Sequence, residues 1–395
     1  MRAVLAVHDY YTSANPSGEA LSFESEVALL RARGHEVVTY VRHNDEIDGY
    51  GWPARAALPL RTIWNPAARR EVAALLRAHR PAVAHFQNTF PLVSPSAYAA
   101  CRAAGVPVVQ AMRNYRWICP VATFYRSGKV CEDCLGKAVP WPGVVHACYR
   151  ASRTKSAAVA AMIVAHRLLR TWSRQVDLFV APSEFTRSKL IEGGFPAARI
   201  VVKPNFLLED PGVRERAGEG AVYVGRLSEE KGLRALLRAW ARVRNVSLRI
   251  VGDGPMLDEM RALAAGRPGV EVLGRRTPAE VAALLKAAAF VVFPSEWYET
   301  FGRVTMEAFA CGVPVIASRL GAMAEAVEDG RTGLLFAPGD DADLAARVEW
   351  ARDHPEEMAE MGRGARAAYE ARYTADRNYA ALIGIYDRAA AAYGG

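Results

Sequence analysis

Short apolar runs alternate with helical patterns in a rhythm that goes once through the chain's first half and then starts again, and this constrains the fold more than any other feature. Runs at 2–7, 35–41, 82–86, 106–111, 178–181 and 200–203 are separated by stretches of helical spacing. Between the first two, Leu21, Val27, Leu29 and Leu30 are interleaved with charged residues over 19–33, and Gly34 supplies a helix stop. Strand, helix, strand in that order predicts a mostly parallel sheet. After the polar, Pro- and Gly-containing stretch 205–220 the rhythm resumes, with runs at 221–225, 246–251, 270–273, 290–293 and 313–317. The fold class is therefore α/β, with two doubly wound, Rossmann-like domains, and 395 residues suit two cores. The expected boundaries are 1–205, 206–370 and a C-terminal helix, 371–395. That last segment carries Tyr373, Tyr379, Leu382, Ile383 and Tyr386 near helical spacing, more aromatic than a free tail needs, and should pack on something.

Composition removes several classes. Hydrophobic residues at 51% and charged residues at 23% exclude a disordered chain. No apolar run approaches the roughly eighteen residues of a membrane span, and the first residues read as a strand with no charged leader. A cytoplasmic protein is expected, with the inner face of the membrane as one place of work. The net charge of +8 is uneven: residues 1–205 hold 26 Lys+Arg against 14 Asp+Glu, and residues 206–395 hold 24 against 28. A basic first half suits a phosphorylated substrate, an anionic surface or nucleic acid, and equally a well-solvated Arg-rich surface.

In a doubly wound sheet, ligands sit outside the carboxyl ends of the strands. Three such places in the second half carry anion chemistry. Arg226 and, five residues on, Lys231-Gly232 follow the run 221–225, where two cations beside a helix start can neutralise a diphosphate. Gly252-Asp253-Gly254 follows 246–251 as a tight turn open to close approach, although alone it signals only a turn. Glu299 and Glu307 follow 290–293, eight residues apart, with Phe301-Gly302-Arg303-Val304 between them. A helix starting near Gly302 would offer free N–H groups to an anion while Glu307 points the same way. Carboxylates accept well from vicinal hydroxyls, so the pair suits a ribose and a hexose.

These motifs together, with Gly312-Val313-Pro314-Val315 and Gly330-x-x-Gly333, resemble the family 4 retaining glycosyltransferases of GT-B fold over residues 221–338. The resemblance implies two domains facing a cleft, with the C-terminal helix packing back on the first, and a nucleotide diphosphate sugar as donor, with UDP the more usual head and GDP the runner-up. It implies that Arg226 and Lys231 hold the diphosphate, Glu307 the ribose and Glu299 the transferred sugar. Gly252 and Asp253 would line the donor site, and the backbone of Phe301, Gly302, Arg303 and Val304 would contact sugar and phosphate. Retention by front-face displacement follows, the departing diphosphate oxygen helping to deprotonate the acceptor, so catalysis rests on positioning and charge stabilisation with no catalytic metal.

The first half adds candidates and departures. Gly18, opening a helix after the first strand, is the residue expected to approach the diphosphate from the other domain. His85 ends a strand and could contact acceptor or phosphate. Where similar enzymes usually carry a histidine after the next strand, this chain has Arg113, which cannot shuttle protons but can stabilise phosphate. Cys119, Cys131, Cys134 and Cys148, within an insertion at about 114–150, have the thiol number and spacing of a structural zinc site. Free thiols or an Fe–S cluster are the alternatives. The segment Arg150 to Arg174 reads as a basic amphipathic helix, suited to packing on the sheet or to lying on a membrane that presents a lipid-linked or phosphorylated saccharide acceptor. A nucleotide-sugar epimerase or hydrolase would use the same donor motifs. A nucleic-acid-binding protein fits less well, because no recognition helix or aromatic-basic motif accompanies the basic half.

Overall fold

The computed structural model describes residues 2–12 and 17–394. It divides into two compact units: residues 2–124, 131–208 and 378–394 form the first, and residues 125–130 and 209–377 the second. Pro16, next to the Gly18 motif, lies outside the described residues.

The first unit is built on a six-stranded parallel sheet in the order β2-β1-β3-β4-β7-β8, with β1 Ala3–Tyr10, β2 Glu36–His43, β3 Val83–Phe86, β4 Val108–Ala111, β7 Leu178–Ala181 and β8 Ile200–Val202. A short antiparallel hairpin, β5 Tyr125–Arg126 and β6 Lys129–Val130, interrupts the numbering. The central strands are buried along their whole length, which is why they read as continuous apolar runs and not as alternating ones. Helix α1, Gly18–Ala32, is capped by Ser17, whose hydroxyl accepts from the Ala20 amide at 3.2 Å, and presents Phe23, Val27 and Leu30 to the sheet. Helices α2 (Trp52–Ile63), α3 (Trp141–Val145) and α4 (Arg153–Leu168) also belong to this unit. The apolar side of α4, with Val159, Met162 and Ile163, is buried.

The second unit repeats the plan, with sheet order β11-β10-β9-β12-β13-β14 and strands β9 Ala221–Val224, β10 Leu248–Val251, β11 Val270–Gly274, β12 Phe290–Phe293, β13 Val315–Ser318 and β14 Gly333–Phe336. All its neighbours run parallel. The sixth strand was not read from sequence, because four residues between glycines carry little periodic signal. Helix α5, Arg303–Ala310, follows β12.

The last helix, α6 (Ala375–Gly394), packs into the first unit. Leu382, Ile385, Tyr386 and Ala389 join Val4, Val83, Val109 and Leu178 in one core, so the aromatic-rich C-terminus covers the first sheet. No helix among the described residues is long and apolar enough to cross a membrane.

Candidate functional site

In the second unit β9 lies between β10 and β12, so the strand order reverses at β9 and leaves a crevice at the carboxyl ends there. Three loops meet at this place, stitched by backbone hydrogen bonds. The Gly225 amide donates to the Val251 carbonyl at 3.0 Å and the Leu227 amide to the Asp253 carbonyl at 2.9 Å, which fixes the Arg226 loop to the Gly252 turn. The Glu296 amide donates to the Glu230 carbonyl at 2.9 Å, which fixes the Lys231 loop to the segment after β12. Gly252 is obligatory: at φ +145° a Cβ would stand 1.8 Å from the Gly225 carbonyl oxygen.

Lys231 and Glu299, 68 residues apart, form the centre. The Lys231 ammonium donates to Glu299 Oε1 at 2.5 Å, and the same oxygen accepts from Ser295 Oγ at 2.8 Å and Trp297 Nε1 at 2.7 Å. The ammonium also lies 5.1 Å from the centre of the Trp297 ring. Three donors on one carboxylate oxygen hold Glu299 in a single orientation. Arg226 is exposed, and its guanidinium has no partner among the described residues. Glu307, on the second turn of α5, is partly exposed and accepts from Arg303 Nε at 2.8 Å. Helix α5 starts from Gly302 at φ +78°, where a Cβ would strike the Met323 side chain at 2.2 Å. Phe301 is buried, Val304 is half-buried, and Asp253 turns its carboxylate back on the Gly254 amide at 2.7 Å. The arrangement combines one unengaged guanidinium, an ion-paired ammonium, a helix N-terminus and two acceptor carboxylates, a set able to hold a diphosphate and hydroxyls together.

The first unit treats its candidates differently. Arg113 follows β4, but its guanidinium is 4% exposed; it donates to Glu26 at 3.0 Å, to Gln87 at 2.9 Å and to Asn205. Lys203, after β8, donates to the same Glu26 oxygen at 2.8 Å and to Asn378 at 3.2 Å. Burial alone would raise the Glu26 carboxyl, but Lys203 and Arg113 outweigh it and hold its pKa down to about 2. His85 Nδ1 lies 2.9 Å from the Tyr386 hydroxyl and 3.7 Å from Glu26, and burial pushes its pKa down to about 4, so the ring is neutral at pH 7. Glu26, Gln87 and Lys203 were missed in the sequence. One signal existed: Glu26 stands three residues after Phe23 and four before Leu30, on the face of α1 that is otherwise apolar. Gly18 opens α1, and a Cβ there would meet nothing within 4 Å, so packing among the described residues does not demand glycine.

The four cysteines of the insertion are free thiols, Cys119 and Cys134 buried and Cys131 and Cys148 partly so. Burial first, and then the neighbouring Cys119, Cys148 and Cys131, push the Cys134 thiol up to about 12. Among the described residues no three His, Cys, Asp or Glu side chains are gathered closely enough to hold an ion.

Residues 17–205 match the family described as glycosyl transferase 4-like domain, and residues 218–353 match glycosyl transferases group 1. The chain belongs to the family 4 glycosyltransferases. A D-inositol 3-phosphate glycosyltransferase of Gordonia bronchialis is 33% identical over 280 residues, which is 62% of this chain and 61% of that protein's length. Two solved structures share the GT-B fold. Sucrose-phosphate synthase of Thermosynechococcus elongatus has a TM-score of 0.74 at 18% identity over 99% of this chain and all of that one. HepE of Anabaena, solved in complex with UDP and glucose, has a TM-score of 0.70 at 19% identity over 98% of this chain and all of that one.

Proposed function

We propose that this protein transfers a sugar from a nucleotide diphosphate sugar to an acceptor hydroxyl with retention of configuration, working in the cytoplasm. The observation that carries the reading is the Lys231–Glu299 pair at the reversal point of the second sheet, flanked by the unengaged Arg226 and the start of α5. In this reading Arg226 and Lys231 neutralise the diphosphate, Glu307 exchanges Arg303 for the ribose hydroxyls, and Glu299 accepts from a sugar hydroxyl. Gly252, Asp253 and the backbone of Phe301 to Val304 line the same site. The departing diphosphate oxygen assists deprotonation of the acceptor, so no protein nucleophile and no catalytic metal enters the step. The HepE complex with UDP favours a UDP-sugar over a GDP-sugar as the donor. The excess of 26 Lys+Arg over 14 Asp+Glu in residues 1–205 favours a phosphorylated or lipid-linked saccharide as acceptor.

A thermal-shift series of nucleotide diphosphates and their sugars tests the donor. UDP or a UDP-sugar at a hundred times its dissociation constant stabilises by about 2.7 kcal/mol; if no nucleotide diphosphate raises the melting temperature, the assignment fails. Analysis of the anomeric product by NMR decides retention.

Zinc held by Cys119, Cys131, Cys134 and Cys148 is the second part of the proposal. Four thiols at 119, 131, 134 and 148 within one insertion are the donor set zinc prefers; in the structure they are not gathered about a common point, so the ion would draw them together, and with all four engaged it would stabilise the insertion with no open position for chemistry. Elemental analysis of protein purified without a metal-affinity tag should find about one zinc per chain; iron, or no metal, overturns it.

A further inference from the structure

Two of the acid-free stretches of the first unit lie against each other. Residues 49–70 hold Arg55, Arg61, Arg69 and Arg70 and no Asp or Glu, and residues 135–176 hold seven Lys or Arg and no Asp or Glu. Helix α2 comes from the first stretch and α4 from the second, and the two pack together. Their C-terminal ends are joined: His166 Nε2 lies 3.0 Å from the carbonyl oxygen of Ile63.

A surface helix normally turns its apolar side inward. Helix α2 keeps large apolar groups outside: Trp52 is 80% and Leu60 72% exposed, with Ala56 and Pro59 exposed between them. Positions 52, 56, 59 and 60 make one stripe along the helix. Within a turn of the joint with α4 stand Leu168, 79% exposed, and Leu169, while Trp141 is exposed on α3, which also packs on α4. Beside them opens a cavity of about 440 Å³ whose charged lining is Lys137, Arg167, Arg170 and one acid, Glu192, which pairs with Lys189 at 2.9 Å; the buried indole N–H of Trp172, also in the lining, has no acceptor among the described residues.

We propose that this face docks on an anionic phospholipid surface, with Trp52, Leu60, Leu168 and Leu169 entering the headgroup layer and the cations of the two acid-free stretches held against lipid phosphates. Exposed Trp and Leu ringed by Arg and Lys is the pattern of an interfacial surface, and charge selects among occupants. A second copy of the chain would bring the same positive face and be repelled, whereas an anionic bilayer supplies both the apolar layer and the opposite charge. A phosphate headgroup at the cavity would be met by Lys137 and Arg170, with Arg167 donating to the Lys137 and Ala138 carbonyls. This surface differs from the buried apolar side of α4. It deepens the reading of the acceptor as lipid-linked, and its test needs no sugar transfer.

The experiment is co-sedimentation of the full chain with vesicles of phosphatidylcholine alone and of phosphatidylcholine with about a third phosphatidylglycerol, at low and high salt. The expected result is binding to the anionic vesicles at least about tenfold above the neutral ones, lost at high salt. Trp52→Ser with Leu60→Ser, and separately Leu168→Ser with Leu169→Ser, should each weaken it severalfold with an unchanged melting temperature. Arg167→Gln with Arg170→Gln should cost about fivefold for each cation removed. Equal binding to both vesicle types, no binding to either, or full binding by both serine variants overturns the proposal. So does a dimer in gel filtration that the serine substitutions dissociate, because the face would then join two copies. Vesicle binding without any nucleotide-sugar response would separate this inference from the donor reading.

Discussion

Each unit places an ion pair at the carboxyl ends of its parallel strands, and the two pairs are built for opposite ends. In the first unit Glu26 meets Arg113 and Lys203 with every partner side chain at most 4% exposed, and Gln87, Asn205 and Asn378 take up further donors and acceptors. In the second unit Lys231 is 18% exposed against Glu299 at 8%; among the described residues the Arg226 guanidinium is unengaged and the Glu307 side chain is tied only to its own helix. In a fully enclosed network every charge depends on its partners and none is left for a ligand, whereas a half-open one keeps groups that a ligand can recruit. Location in the fold is therefore not a sufficient sign of a ligand site; exposure and unspent hydrogen-bonding capacity make the distinction.

The comparison breaks or sharpens under substitution. Glu26→Gln leaves two buried cations facing a neutral amide and should destabilise the protein by about 3–5 kcal/mol in denaturant unfolding, with little change in UDP affinity for the protein that remains folded. A loss under about 1 kcal/mol would mean that the network is not closed. Lys231→Ala should do the reverse. Loss of a charge-assisted contact of about 1.5–3 kcal/mol lowers UDP affinity by roughly 10- to 150-fold, while stability moves by about 1 kcal/mol or less, read by calorimetric titration and unfolding of the same sample. Unchanged UDP affinity would make the pair structural and erase the contrast. Glu307→Gln should have a smaller effect, about a tenfold rise in the donor KM with kcat little altered, because a ribose contact acts equally in ground and transition states.

The smallest effect is in pH dependence. Glu26 titrates at about 2 in the folded chain against an ordinary 4.5, so its stabilisation is complete above pH 4.5 and lost as pH falls toward 2. His85, buried and held to about 4 against 6.5, contributes stability that is present above pH 6.5 and lost as pH falls through 4. Urea midpoints of the native protein and of Glu26→Gln should therefore converge between pH 4.5 and pH 3. A gap that stays constant down to pH 3 would show that Glu26 is not held low by its cations.

The donor-side residues were legible because each sits immediately after an apolar run, where strand, turn and helix start are written in adjacent residues. Arg226 after β9, Gly252 after β10 and Gly302 before α5 are local statements. Arg113 was legible as a position but not as an environment. A guanidinium after β4 reads the same whether it faces solvent or Glu26, and Glu26 lies 87 residues earlier. The zinc reading rests on spacing, and spacing says that four thiols can reach one another without saying how near they come. The exposed stripe of α2 was not read at all, since Trp52, Leu60 and the prolines look like any helix that buries one side.

By itself, then, the sequence determined the two parallel α/β sheets, eleven of their twelve strands to within a few residues and the loops that follow those strands, because periodicity and turn chemistry act over three or four residues. Only the tertiary structure decided which charges are enclosed and which are open. Lys203 reaches Glu26 across 177 residues, His85 reaches Tyr386 across 301, and Lys231 reaches Glu299 across 68. Burial and ion pairing depend on what the closed chain brings through space, so they exist only once the sheets and the returning C-terminal helix have assembled.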